Sequence, residues 1–149
     1  MRVTATKAFT WDMAHMLSGH EGLCQNLHGH TYKMEVEVEH LQGDLIAMGS
    51  SEGMVIDFKH LKEVVKSEIV DPLDHALMVW ENGNPAEQAI AQVAIEHGMK
   101  VAAVPYRPTV ENMCREFFGV LKTLLPEKGV KVRRVRVWET PTSFAEVRE

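Results

Sequence analysis

The residues best suited to chemistry lie in the stretch Cys24-Gln-Asn-Leu-His28-Gly-His30-Thr-Tyr32. His28 and His30 are separated only by Gly29, and Cys24 sits a short loop upstream. If this stretch enters a β-strand, the two-residue period places both imidazoles on one face. Two such imidazoles are half of a metal site, and the glycine between them admits a close backbone or ligand. A third histidine, His15, continues the parity of Val3, Ala5, Phe9, Trp11 and Met13, an alternation that predicts a half-buried strand. In the following strand Met34, Val36 and Val38 alternate with Lys33, Glu35, Glu37 and Glu39, and His28, His30 and Tyr32 share the apolar parity. Three histidines of two neighbouring strands then face one side of one sheet, and antiparallel pairing brings His15 beside His28 and His30. Buried and unpaired, three imidazoles would cost about a few kcal/mol. Holding zinc through nitrogen, with a fourth position open, they would form the catalytic type of site.

Other residues admit two or more readings from sequence alone. Cys24 is a fourth zinc ligand, a small buried residue, or a thiol near a cation whose thiolate acts as base or nucleophile. Its place in a loop rather than on an apolar stripe weakens the second. Asp74-His75 is either a helix-ending turn with a solvated histidine or a carboxylate orienting a proton-moving imidazole. Because adjacent side chains diverge, direct contact between those two requires a turn. Glu139, after Trp138, is a solvated strand end or a rim carboxylate able to accept two parallel hydrogen bonds from a flat amino-heterocycle. Cys114 reads as core, and His20, His40, His60 and His97 as surface.

The elements that must position these groups are legible in outline. A chain of 149 residues with 45% hydrophobic and 25% charged residues is expected to form a single domain, residues 1–149, with a core that needs no disulfide. A net charge of -5 argues against nucleic acid as the main partner while leaving room for a small anionic substrate. Two cysteines without paired spacing fit a reducing compartment, and no run is long enough to span a bilayer, so a cytoplasmic protein with no membrane contact is expected. After the two strands, Met54-Val55-Ile56 reads as a short strand and Asp57 as the cap of a helix ended by Asp71-Pro72. A second helix begins near Pro85 and stops at Gly98, and Val101 to Val104 is a brief strand. Thr109 caps the strongest helix, with Glu111 in its first turn. Its apolar stripe runs from Val110 through Met113, Phe117 and Leu121. Valine parity slips at Arg133-Arg134, predicting a β-bulge, and Ser143 to Arg148 forms a final edge strand. Two strands, helices and two strands describe an α+β sheet with helices packed on one face.

Six segments in this order resemble the 6-pyruvoyl-tetrahydropterin synthase family, and within it the bacterial carboxy-forming branch of the queuosine pathway. They are Phe9-x-x-x-x-Ala14-His15, Cys24-x-x-x-His28-Gly29-His30, Gly53 to Phe58, Leu73-Asp74-His75, Pro108-Thr109-x-Glu111-Asn112 and Trp138-Glu139-Thr140. The resemblance implies a tunnelling fold with a four-stranded antiparallel sheet. It implies zinc on His15, His28 and His30, Cys24 as catalytic acid or base, and Asp74 with His75 as a second proton-transfer pair. Glu139 would anchor the pterin ring, with Thr109 and Glu111 as further substrate contacts. The implied substrate is 7,8-dihydroneopterin triphosphate. The implied assembly is a homo-oligomer, a hexamer built as a dimer of trimers, with sites between subunits. Three residues between Cys24 and His28 match the carboxy-forming branch, whereas the pyruvoyl-forming animal enzymes have a longer gap. Cys24 itself argues against the folate-precursor branch, which carries glutamate there. The segment from Glu81 to Arg107 is longer than in the shortest members and contains an extra helix.

Overall fold

The computed structural model describes residues 1–149. Its centre is a long hairpin of β1 (Thr4–His15) and β2 (His28–His40), antiparallel with Thr4 opposite Glu39 and His15 opposite His28. β2 pairs antiparallel with β5 (Val130–Thr140), and β5 with β6 (Ser143–Arg148). These are the four strands expected from sequence. The sheet has six, because β3 (Leu77–Trp80) and β4 (Val101–Val104) extend it in parallel beyond β1, giving the order β4-β3-β1-β2-β5-β6. β3 has no alternation to betray it. Met78 and Val79, which point to opposite faces, are both buried, and a parallel strand covered on both sides reads as a plain apolar run.

The predicted bulge is present. Arg134 faces Glu37 and Val132 faces Val38, which leaves Arg133 as the extra residue. The slip keeps Val130, Val132, Val135 and Val137 all in the core. It also sends Arg134 to Glu37 at 2.7 Å and Arg133 to Glu39 at 3.2 Å.

Helices α1 (Phe58–Val65) and α4 (Val110–Leu124) cover the apolar face of the hairpin and β5. Asp57 caps α1 by accepting from the Lys59 amide, and Thr109 caps α4 by accepting from the Asn112 amide. The chain does not leave the helix at Asp71-Pro72 as expected. A wide turn over Lys66–Val70, in which the Asp71 amide reaches back to the Lys66 carbonyl, carries it into α2 (Asp71–Leu73). That turn gives the proline ring room and asks no hydrogen bond of its nitrogen. Nor is Met54-Val55-Ile56 a strand. Val55 and Ile56 are buried against the core, and the Met54 carbonyl accepts only from the Ile46 amide across a turn. α3 (Pro85–Glu96), capped by Asn84, packs on β3 and β4 and occupies the extra segment. No helix is long and apolar enough to cross a membrane.

One cluster of 26 buried residues joins these elements. Trp11 and Tyr32, directly opposite in the hairpin, stack at 5.5 Å between ring centroids, and Phe117 of α4 meets Trp11 edge-on at 6.0 Å. This aromatic floor lies immediately below the histidines, with Tyr32 against both His15 and His30.

Candidate functional site

The end of the hairpin brings His15, His28 and His30 together, with ligand nitrogens within 4.8 Å of one another. Register does this directly: His15 is opposite His28 and Met13 opposite His30. Their hydrogen bonds decide which nitrogen carries the proton. His15 Nδ1 donates to the Pro108 carbonyl at 2.8 Å, and His28 Nδ1 donates to the Asn26 carbonyl at 2.7 Å. Carbonyls only accept, so both protons sit on Nδ1 and both Nε2 atoms present lone pairs. Those two lone pairs face each other at 3.1 Å. The buried Nε2 of His30 has no hydrogen-bond partner. Glu139 adds a carboxylate oxygen at 3.5 Å from His15 Nε2 and 3.6 Å from His30 Nε2. Acceptors converging without a proton between them are the arrangement that suits a cation. Zinc–nitrogen bonds of about 2.0–2.1 Å on a tetrahedron separate ligand nitrogens by about 3.3 Å, close to the spacing seen here. The donor set therefore fits zinc, with the two carbonyls acting as the outer partners that fix the imidazoles.

Burial lowers the His15 pKa to about 4, with the neighbouring His28 and His30 adding to the effect against the Pro108 hydrogen bond. Burial also lowers that of His30, opposed by the Glu139 charge. Both rings are held neutral, the form that binds metal.

Cys24 is exposed, in a single 3-10 turn (Leu23–Gln25) of the loop between β1 and β2, and is not part of the histidine cluster. The buried reading of Cys24 fails, while Cys114 is buried as expected, its thiol donating to the Val135 carbonyl at 3.0 Å.

Asp74 and His75 do touch. His75 adopts φ 63°, a left-handed conformation uncommon outside glycine, and this turn sets its Nδ1 2.9 Å from Asp74 Oδ1. The pair is pinned to β1: the Asp12 amide donates to Asp74 Oδ1 and the His75 amide donates to the Asp12 carbonyl. That Asp12 bond, and after it the His75 imidazole, holds the Asp74 carboxyl below the usual carboxylate range. Asp12 completes a cluster with Asp74 and His75 that the sequence reading missed, and Thr31 donates to its carboxylate at 2.5 Å. Asp12 and Thr31 have the opposite parity to the histidines, yet His75 and His30 border one cavity. His75 edges two cavities, one beside Asp12, Gly29 and Thr31 and a larger apolar one of about 720 Å³ against Ile90, Val93 and Met99 of the extra segment; Cys24 lines neither.

Glu139 lies where a cavity of about 490 Å³ meets the histidines, lined also by His30, Lys33, Trp138, Thr140 and Pro141. The Thr109 hydroxyl is committed to capping α4, and Glu111 is exposed in that helix's first turn. Pro108, just before them, is what grips His15. Backbone carbonyls carry no side-chain signature, so neither Pro108 nor Asn26 was legible as a site residue.

The sequence profile of the 6-pyruvoyl tetrahydropterin synthase family matches residues 4–149. The chain is 45% identical over 144 residues to the 6-carboxy-5,6,7,8-tetrahydropterin synthase of Haemophilus influenzae, covering 97% of each chain. It is 38% identical over 131 residues to the protein of that name from Aquifex aeolicus, covering 85% of this chain and 76% of that one. Two solved structures share the fold: an uncharacterized protein of Wolinella succinogenes (TM-score 0.79, 22% identity, 99% of this chain and 98% of that one) and the Caenorhabditis elegans 6-pyruvoyl tetrahydropterin synthase (TM-score 0.65, 22% identity, 99% and 95%). With the profile spanning nearly every residue and the histidines, cysteine and acid–histidine pair all lying inside it, the chain belongs to the 6-pyruvoyl tetrahydropterin synthase family.

Proposed function

We propose that this protein is a single-domain, zinc-dependent lyase that converts 7,8-dihydroneopterin triphosphate and one water to 6-carboxy-5,6,7,8-tetrahydropterin, acetaldehyde and triphosphate. The observation that carries the reading is the meeting of unprotonated His15 and His28 Nε2 atoms at 3.1 Å, with His30 and Glu139 at hand. The names of relatives sharing 45% and 38% identity support the carboxy-forming branch.

His15, His28 and His30 would hold the zinc. Bound there, it supplies a Lewis acid that acidifies protons on the substrate side chain. Glu139 accepts two hydrogen bonds from the amino-heterocycle and so orients the pterin against the histidines. Thr109 and Glu111, at the start of α4, would be further substrate contacts, Glu111 through its exposed side chain. Cys24 removes a side-chain proton, and His75 Nε2, with its Nδ1 held by Asp74, gives or takes the second. Cys24 and the Asp74-His75 pair meet across a contact between two copies, in keeping with their separation on one chain. A homo-oligomer assembled through the free edges of β4 and β6 supplies that contact, and a reducing cytoplasm suits two free thiols.

The test is to incubate zinc-loaded protein with dihydroneopterin triphosphate and identify products by mass. Acetaldehyde with the carboxy-pterin is expected. A pyruvoyl product without acetaldehyde would move the protein to the other branch, and no turnover with retained zinc would make it a non-catalytic zinc- or pterin-binding oligomer.

A further inference from the structure

The loop that bears Cys24 has little of its own to hold it. None of Leu23, Cys24 and Gln25 is buried, so their position depends on hydrogen bonds back to the start of the loop. The main one runs from the Leu17 amide to the Cys24 carbonyl at 2.8 Å. Next to Leu17, Ser18 is buried and held from three sides. Its hydroxyl accepts from the Asn84 amide at 3.2 Å and donates to Glu87 Oε2 at 3.0 Å, and its carbonyl accepts from Arg107 Nη2 at 2.9 Å. Asn84, Glu87 and Arg107 all belong to the extra segment from Glu81 to Arg107.

Glu87 is fully buried, and its second oxygen has no partner; nor has the buried Nε of Arg107. A buried carboxyl left half-satisfied is costly, and is kept where it does something. The space for it is built: a Cβ at Gly83 would fall 1.7 Å from Glu87 Oε2. Arg107 is followed by Pro108, whose carbonyl orients His15. One short segment thus grips both the Cys24 loop and a zinc-ligand candidate.

We propose that Glu87, Ser18 and Arg107 form a clamp by which the extra segment positions the Cys24 thiol relative to the histidines. Glu87 is a positioning residue, acting through Ser18 on Leu17 and so on Cys24; its role in turnover rests on the reaction proposed above. Ser18→Ala removes only the hydroxyl. Glu87→Ala removes the acceptor, and Glu87→Gln keeps an acceptor oxygen while discarding the charge. In Ser18→Ala and Glu87→Ala, amide hydrogen exchange over residues 17–25 should rise about tenfold while the hairpin stays protected. In the same two variants kcat should fall about tenfold, with KM within about twofold and zinc still bound. Glu87→Gln should return both exchange and kcat to within about threefold of the parent. Unchanged exchange in Ser18→Ala overturns the clamp, as do raised exchange with unchanged kcat, loss of zinc together with activity, or Glu87→Gln as impaired as Glu87→Ala. Should Glu87→Ala fail to fold, Ser18→Ala decides alone. If the parent protein releases no acetaldehyde, the proposed reaction fails separately, and the exchange experiment still reports whether the clamp holds the loop.

Discussion

Two imidazole nitrogens that meet with their protons committed to Pro108 and Asn26 are a donor pair that fits a cation, and the proposed zinc chemistry is tested first at these residues. Replacing His28 with Ala should reduce bound zinc from one per chain to near zero by elemental analysis, since two imidazoles hold zinc far less tightly than three. Cys24→Ala should keep its zinc while kcat falls about 10²–10⁴-fold, the usual worth of a positioned proton carrier. If Cys24→Ala lost the metal instead, the thiol would be a ligand and the site structural. The two thiols should also differ. Burial pushes Cys114 from 9.0 up to about 11, so at pH 8 iodoacetamide should label Cys24 and spare Cys114 until the protein unfolds. The sign of the accompanying pH effect follows: the unfolded thiol ionises near 9 and the folded one only near 11. Stability is therefore lost as pH rises through that window, by about 1.4 kcal/mol per pH unit at most, and denaturant melts at stepped pH would measure it.

Single elements decide which of these groups can meet. The parity that put three histidines on one face was readable because a strand's period is two, and the bulge at Arg133 because valines on both sides of it must reach one core. The turn that lets Asp74 contact His75 was not readable. It depends on His75 at φ 63°, a conformation that no residue type announces except glycine. Nor did the sequence betray the buried carboxyl at the start of α3, where Glu87 has the look of a solvated first-turn acid. Its pocket gives a stability prediction at this scale. Gly83→Ala would drive a methyl into the Glu87 carboxyl, so either the Ser18 bond breaks or the backbone shifts. Urea denaturation should show a loss of about 1–3 kcal/mol, the range for overpacking.

At the scale of the whole molecule, the Asp74-His75 pair is held against β1 at the start of β3, and Cys24 lines neither cavity that His75 edges. If active sites close between copies, inactive Cys24→Ala and His75→Ala proteins should restore activity when unfolded together and reassembled. Random mixing leaves about a quarter of interfacial sites with both groups intact, so recovered turnover should approach that fraction. No recovery would place Cys24 and His75 in one chain's site.

The four antiparallel strands, the brief strand Val101–Val104, the helical caps, the convergence of His15, His28 and His30 and the family were all readable from the chain itself, because periodicity, capping chemistry and residue spacing are local properties. Folding alone decided strand β3 and the parallel pairing of β3 and β4, the proton positions on His15 and His28, the approach of Glu139 to the histidines, and the grip of Glu87 and Arg107 on Ser18. Each of those joins groups 69 to 124 residues apart, or rests on a backbone carbonyl, or on a strand covered on both faces. Pattern along a sequence records which way a side chain points, whereas its partner across the fold is set only when the sheet and helices close on one another.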